Sequence, residues 1–222
     1  MDVKPGKLYA VISGDVVGSS KLPPDQRTAL FGVMKEGSKL LKEWLGKDMP
    51  LVVDIYGGDS WQMLLTEPGR ALAAGLFFRA YHLSATVGKC DTRVAIAVGT
   101  IDFVPGKNVS EGDGEAFRLS GQLLAEGLGK RRMGFAAADA AADVWDVAFD
   151  LIDALVTHQW SAKRALAVSG ALRGWRQEDI GRLWDPPIEQ ASVNRHLASA
   201  GWAAISHAVT AFEGHWTANA KK

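Results

Sequence analysis

The chain has 222 residues, 47% of them hydrophobic, enough to bury one large core or two modest ones. Lys plus Arg and Asp plus Glu both total 25, so the formal net charge is zero. That balance excludes a global pull towards nucleic acid or acidic membrane and confines any polyanion site to a local patch. The single cysteine, Cys90, excludes an intramolecular disulfide framework and a cysteine-only metal cluster, and it favours a reducing compartment, the cytoplasm.

The N-terminus, Met1 to Lys7, is polar, and the apolar stretch after it is interrupted by Asp15, so a soluble protein without signal peptide or membrane span is expected. Residues 8–14 are short, apolar and β-branched and read as a buried first strand. Leu30, Met34, Leu41 and Leu45 recur near the helical period until Gly46, which predicts an amphipathic helix. Residues 51–56, Gly57-Gly58-Asp59 and residues 60–65 read as strand, tight turn, strand, because paired glycines supply the backbone freedom a hairpin needs. A helix over 68–83 and a strand over 93–99 follow. This β-α-β-β-α-β order is the ferredoxin-like unit, in which the first strand lies antiparallel to the third. A helix over 114–127 and a strand near Met133 extend it.

The composition shifts near residue 140, where an alanine-rich segment precedes a stretch holding six of the eight tryptophans. Two domains are therefore expected, an α/β domain over 1–140 and an all-helical one over 141–222. Within the second, residues 177–184, a turn at Asp185-Pro186-Pro187-Ile188 and residues 189–197 read as a helix-turn-helix, with Ile180, Leu183, Val193 and Leu197 available for a shared core. Gln190, Ser192, Asn194 and Arg195 on its second helix suit base edges or phosphates of DNA, and suit a solvated face equally well.

The fold reading brings Asp15, at the end of the first strand, and Asp59, at the start of the third, to one sheet edge. Two hard oxygen donors there suit Mg²⁺ or Mn²⁺, and turn or capping roles account for either residue alone. Gly18, Ser19 and Ser20 just after Asp15, with Gly57 and Gly58 before Asp59, offer backbone N–H groups to a phosphate. The hairpin needs its two glycines whether or not a ligand approaches.

Val11-Ile12-Ser13-Gly14-Asp15-Val16-Val17-Gly18-Ser19-Ser20 resembles the first metal-binding strand of class III nucleotidyl cyclases. Asp54-Ile55-Tyr56-Gly57-Gly58-Asp59 resembles their second metal-binding turn and the related turn of GGDEF diguanylate cyclases. With the helical C-terminal part, the whole chain is similar to the SatD-like family. The resemblance implies a cyclase-type fold, nucleotide binding with Mg²⁺ or Mn²⁺, and a homodimer. It also shows departures. An active cyclase carries an Asn and, four residues later, an Arg on the helix after the 93–99 strand, and those positions hold Arg118 and Gln122 here. The base-selecting position holds Ile55. Arg118, one turn from the vacated arginine position, is the candidate catalytic residue. The expectation is a cytoplasmic regulatory protein in which a degenerate cyclase-like domain binds nucleotide and a helix-turn-helix binds DNA. An active metal-dependent cyclase or nucleotidyltransferase, and a purely partner-binding module, stand as alternatives.

Overall fold

Alternation along the first strand decides the layering. In β1 (Tyr9–Val16), Ala10, Ile12, Gly14 and Val16 point to one side of the sheet and Tyr9, Val11, Ser13 and Asp15 to the other. All are buried except the half-buried Asp15, so the sheet must be covered on both faces. A computed structural model describes every residue but Thr86, Gly88, Lys89, Ala140 and residues 220–222.

The elements that follow are α1 (Pro24–Leu45), β2 (Asp54–Tyr56), β3 (Ser60–Leu65), α2 (Ala71–Ala85), β4 (Thr92–Gly99), α3 (Glu115–Gln122) and β5 (Met133–Ala137). The sheet order is β2-β3-β1-β4-β5, with β5 parallel to β4 and each other neighbouring pair antiparallel. This is the expected ferredoxin-like arrangement with one added strand, so the fold class is mixed α/β. The first strand runs two residues further than its apolar run, which places Asp15 inside β1 and in register with Ser60 of β3 and Arg93 of β4. The hairpin strand β2 is three residues long and begins at Asp54, shorter than its apolar run.

The larger core lies under α1 and α2, where Ile12, Met63, Ile96, Leu72 and Phe78 pack together. The opposite face is closed by α3 and the segment before it, through Tyr9, Val11, Leu64, Ile101, Ala116 and Phe117. A buried polar ladder joins α3 to the sheet: Gln62 Nε2 donates to Ser13 Oγ at 2.8 Å, and Ser13 Oγ shares a 3.0 Å hydrogen bond with Ser120 Oγ. A turn of π-helix (Leu123–Gly127) continues α3 towards β5.

The remaining elements are all helical: α4 (Ala142–Gln159), α5 (Ala162–Leu172), α6 (Gln177–Gly181), α7 (Gln190–Ser199) and α8 (Trp202–Asn219). The apolar core runs without a break from the sheet into these helices, with Phe135 of β5 lying 5.3 Å from Phe149 of α4 and 5.4 Å from Phe212 of α8, ring centre to ring centre. The expected boundary residue, Ala140, lies outside the described residues. Ile180, Val193 and Leu197 are buried between α6 and α7, and Leu183 packs at their margin. α6 stops three residues short of its apolar pattern because the chain folds back there: the Ile188 amide donates to the Gly181 carbonyl at 3.1 Å. Among the described residues, no helix is long and apolar enough to cross a membrane.

Candidate functional site

Asp15 and Asp59 meet at one sheet edge because β1 and β3 are antiparallel neighbours, and the Val16 amide donates to the Asp59 carbonyl at 3.2 Å. Asp59 lies in the turn before β3, with its carboxylate accepting a very short hydrogen bond from the Ser19 hydroxyl. Gly57 and Gly58 hold positive φ angles of 62° and 95°, the left-handed region that makes glycine the suitable residue in this turn.

The side chain facing Asp15 is Arg93. Its Nε donates to Asp15 Oδ1 at 2.7 Å, its Nη2 makes a shorter bond to Asp15 Oδ2, and its Nη1 reaches the Leu124 carbonyl at 3.3 Å. The hydrogen bonds that Arg93 donates to Asp15 raise the Arg93 pKa; burial opposes this, and the charges of Asp15 and Asp59 add to it. Gly14 lets the neighbouring backbone and ring approach: a Cβ there would lie 2.2 Å from the Trp61 ring and 2.3 Å from the Arg93 carbonyl. Trp61 Nε1 donates to Thr92 Oγ1 at 2.8 Å, and that hydroxyl is 2.8 Å from the Asp15 carbonyl, so the ring props the strand end that carries the carboxylate. Tyr56 stands nearby; burial, then the charges of Asp54 and Asp15, push its phenol above the ordinary value and keep it protonated.

These contacts bear on whether Mg²⁺ or Mn²⁺ fits. Such ions need several oxygen donors and avoid neighbouring cations. Both oxygens of Asp15 already accept from a guanidinium, one oxygen of Asp59 accepts from Ser19, and no group of three His, Cys, Asp or Glu side chains converges among the described residues. The donor set in this arrangement does not fit a divalent ion.

Beside the carboxylates lies a cavity of about 200 Å³ lined by Ser19, Ser20, Arg27, Leu30, Gly57, Gly58 and Asp59. Gly18, with φ of 77°, opens the 3-10 turn that carries the two serines. Arg27, at the start of α1, makes no side-chain hydrogen bond or ion pair with any described residue. Two carboxylates (Asp15, Asp59) and two guanidinium groups (Arg27, Arg93) give this edge a formal charge of zero. Sequence reasoning missed Arg93 and Arg27. The signal for Arg93 was a charge directly before the apolar, buried run Val94 to Gly99 of the same strand.

Arg118 lies in the first turns of α3, its Nη1 at 2.9 Å from Asp113 and 3.5 Å from Asp102. Leu124, whose carbonyl binds Arg93, is six residues further along. At about 1.5 Å per residue that separation is roughly 9 Å along the helix. Gln122 is exposed beside Leu119 and Leu123. On α7, Gln190 and Asn194 are exposed, and Arg195 Nη2 donates to Ser192 Oγ at 2.9 Å. His196 stacks on Trp184 with ring centres 5.6 Å apart. Its pKa is lowered, first by burial and then by the positive charges of Lys163, Arg164 and Arg195.

No family model matches the sequence, and no curated protein matches it. Solved structures similar to this chain include two of a bacterial light-regulated adenylyl cyclase. Both are 14% identical to it over 58% of this chain; the match covers 43% of one, with a TM-score of 0.42, and 75% of the other, with a TM-score of 0.44. The chain thus spans less than half the length of the first of these. The adenylyl cyclase CyaB from P. aeruginosa is 15% identical over 53% of this chain and 70% of its own, with a TM-score of 0.38. The guanylyl cyclase Cya2 is 13% identical over 53% of this chain and 68% of its own, with a TM-score of 0.36.

Proposed function

We propose that the cleft between the Ser19-Ser20 turn and the Gly57-Gly58 turn binds the phosphate end of a nucleotide, and that the chain is a nucleotide-responsive regulatory protein of the SatD-like kind. One observation carries the reading: Arg27, without an acidic partner among the described residues, faces a small cavity edged by two hydroxyls and two glycines. Whole-ligand pockets run to roughly 300–1,000 Å³. A cavity of about 200 Å³ suits phosphate groups, with sugar and base lying outside it. Binding without efficient cyclisation is favoured because the Asn and Arg positions of active cyclases hold Arg118 and Gln122, and the Arg118 guanidinium is engaged by Asp102 and Asp113.

Thermal unfolding with ATP, GTP and their diphosphates tests this, because a ligand that binds only the folded state stabilises it by about 2.7 kcal/mol at one hundred times its Kd. A rise in Tm that Arg27→Ala abolishes is expected. No shift across the panel in a well-folded protein overturns the reading, and cyclic product formed with Mn²⁺ and lost in Asp59→Asn replaces it with an enzyme.

We further propose that α7 of the helical part binds DNA, in a homodimer. Lys163, Arg164 and Arg195 converge around His196 and form no salt bridge with any described residue, so a chain of zero net charge carries a positive patch beside Gln190, Ser192 and Asn194. Phosphate contacts of this kind make affinity fall with salt. Arg195→Ala is expected to lower the slope of log affinity against log salt by about 1 in duplex-binding titrations. No binding at low salt removes DNA from the reading.

A further inference from the structure

We propose that Arg93 stands permanently in the role of a divalent cation at this edge, so that phosphate binds in the cleft without metal. The inference rests on the phosphate-binding reading above. Asp15 and Arg93 are directly opposed residues of neighbouring strands, so the sheet register itself sets the pair; it does not depend on a chance meeting of long side chains. The guanidinium meets the carboxylate with two parallel donors and is pinned from the α3 side by the Leu124 carbonyl. An arginine is charged at every accessible pH, and no chelator removes it.

Arg93 is not among the residues lining the cavity, and it acts by charge compensation. With Asp15 neutralised, the carboxylate left next to the phosphate position is Asp59, and Arg27 belongs to the same lining. A phosphate entering this cleft meets no net negative charge. A divalent ion approaching Asp15 meets a guanidinium already seated on both oxygens. Removing the guanidinium would reverse both conditions: Asp15 would repel phosphate, and Asp15 with Asp59 would form a pair of free carboxylates suited to a hard cation.

Two measurements on wild type and Arg93→Met test this, with Arg93→Gln as a second variant should the methionine fail to fold. In the first, pyrophosphate and ATP are titrated by thermal shift in EDTA and in Mn²⁺. Wild type is expected to respond equally in both, and the variant is expected to respond at least tenfold more weakly in EDTA and to recover in Mn²⁺. A wild-type response that needs Mn²⁺, or a variant that responds normally in EDTA, overturns the proposal. In the second, Mn²⁺ alone is titrated and free ion is read by electron paramagnetic resonance. Wild type is expected to leave the ion free and the variant to gain one site that is lost on adding Asp15→Asn. Binding by wild type, or no gain in the variant, overturns the proposal without any nucleotide. Silence to all phosphates in the first measurement together with the expected Mn²⁺ gain removes the phosphate-binding reading and keeps Arg93 as the occupant of the cation position.

Discussion

Arg79 and Arg93 each clamp an aspartate with two parallel hydrogen bonds, and the two clamps are built from β4 and its approach. Arg79, on α2, is fully buried; it binds both oxygens of Asp91 at 3.0 and 2.8 Å, Asp153 of α4 at 2.5 Å and Thr157 at 2.8 Å. Arg132 adds a bond to Asp91 at 2.6 Å, and its amide donates to Asp153 at 2.9 Å. Arg93 and Asp15 retain 35% and 22% side-chain exposure. The chemistry is the same and the setting differs. In the buried cluster each charge is answered by another and by fixed donors, which ties α2, the start of β4 and α4 into one unit. At the sheet edge the pair stays within reach of solvent, where a ligand or ion can compete with it.

The largest expected effect separates the two clamps. Arg79→Met leaves Asp91 and Asp153 buried without their main partner, and breaking such a pair costs about 3–5 kcal/mol. Urea unfolding followed by far-UV circular dichroism should show that loss. A loss below about 1 kcal/mol would mean that Arg132 alone satisfies both carboxylates, and the contrast with Arg93 would disappear.

Acid titration sharpens the same comparison. Burial pushes the Asp91 carboxyl up, but the charge and hydrogen bonds of Arg79 and the contacts of Arg132 outweigh it and hold Asp91 below the ordinary 3.8. Its contribution to stability is therefore complete above pH 3.8 and is lost as pH falls through the lower folded value. His82, buried one helical turn from Phe78, is held below its ordinary 6.5 by burial, against the opposing effects of the Phe78 carbonyl and Asp91. The unfolded chain takes up that proton first, so stability starts to fall as pH drops below 6.5. A two-stage decline is expected in stability measured from pH 8 to 2. His82→Gln should remove the upper stage, and Arg79→Met, which lets burial raise the folded value of Asp91 towards 3.8, should shrink or abolish the Asp91 share of the lower stage. A single decline confined below pH 4 would show that His82 does not contribute.

Sequence pattern made the sheet legible because each strand is a short apolar run closed by Gly, Asp or Pro, and the order of runs admits few topologies. It brought Asp15 and Asp59 to one edge for the same reason. The two arginines escaped because their meaning depends on partners far along the chain. Arg79 sits in a helix of Ala, Leu and Phe, where one charge signals a buried partner without saying which; Asp153 is 74 residues away. Arg93 is 78 residues from Asp15 and finds it only through the antiparallel register of β1 and β4. The ladder of Gln62, Ser13 and Ser120 was hidden likewise, since polar residues in separate segments reveal themselves as one network only when α3 is laid on the sheet.

The smallest expected stability effect belongs to the edge clamp. Partly exposed ion pairs contribute about 0–1 kcal/mol, because water screens the charges and replaces the hydrogen bonds when the pair is broken. Arg93→Met should therefore unfold within about 1 kcal/mol of wild type in the same urea titration that registers Arg79→Met as a severe loss. If it costs as much as the buried substitution, Arg93 is a structural strut of the β1–β4 edge and a change in ligand response could be traced to a damaged sheet. If it costs little, the guanidinium is being held at the strand end for its charge, and the sheet keeps Asp15 and Asp59 in place whether or not Arg93 is there.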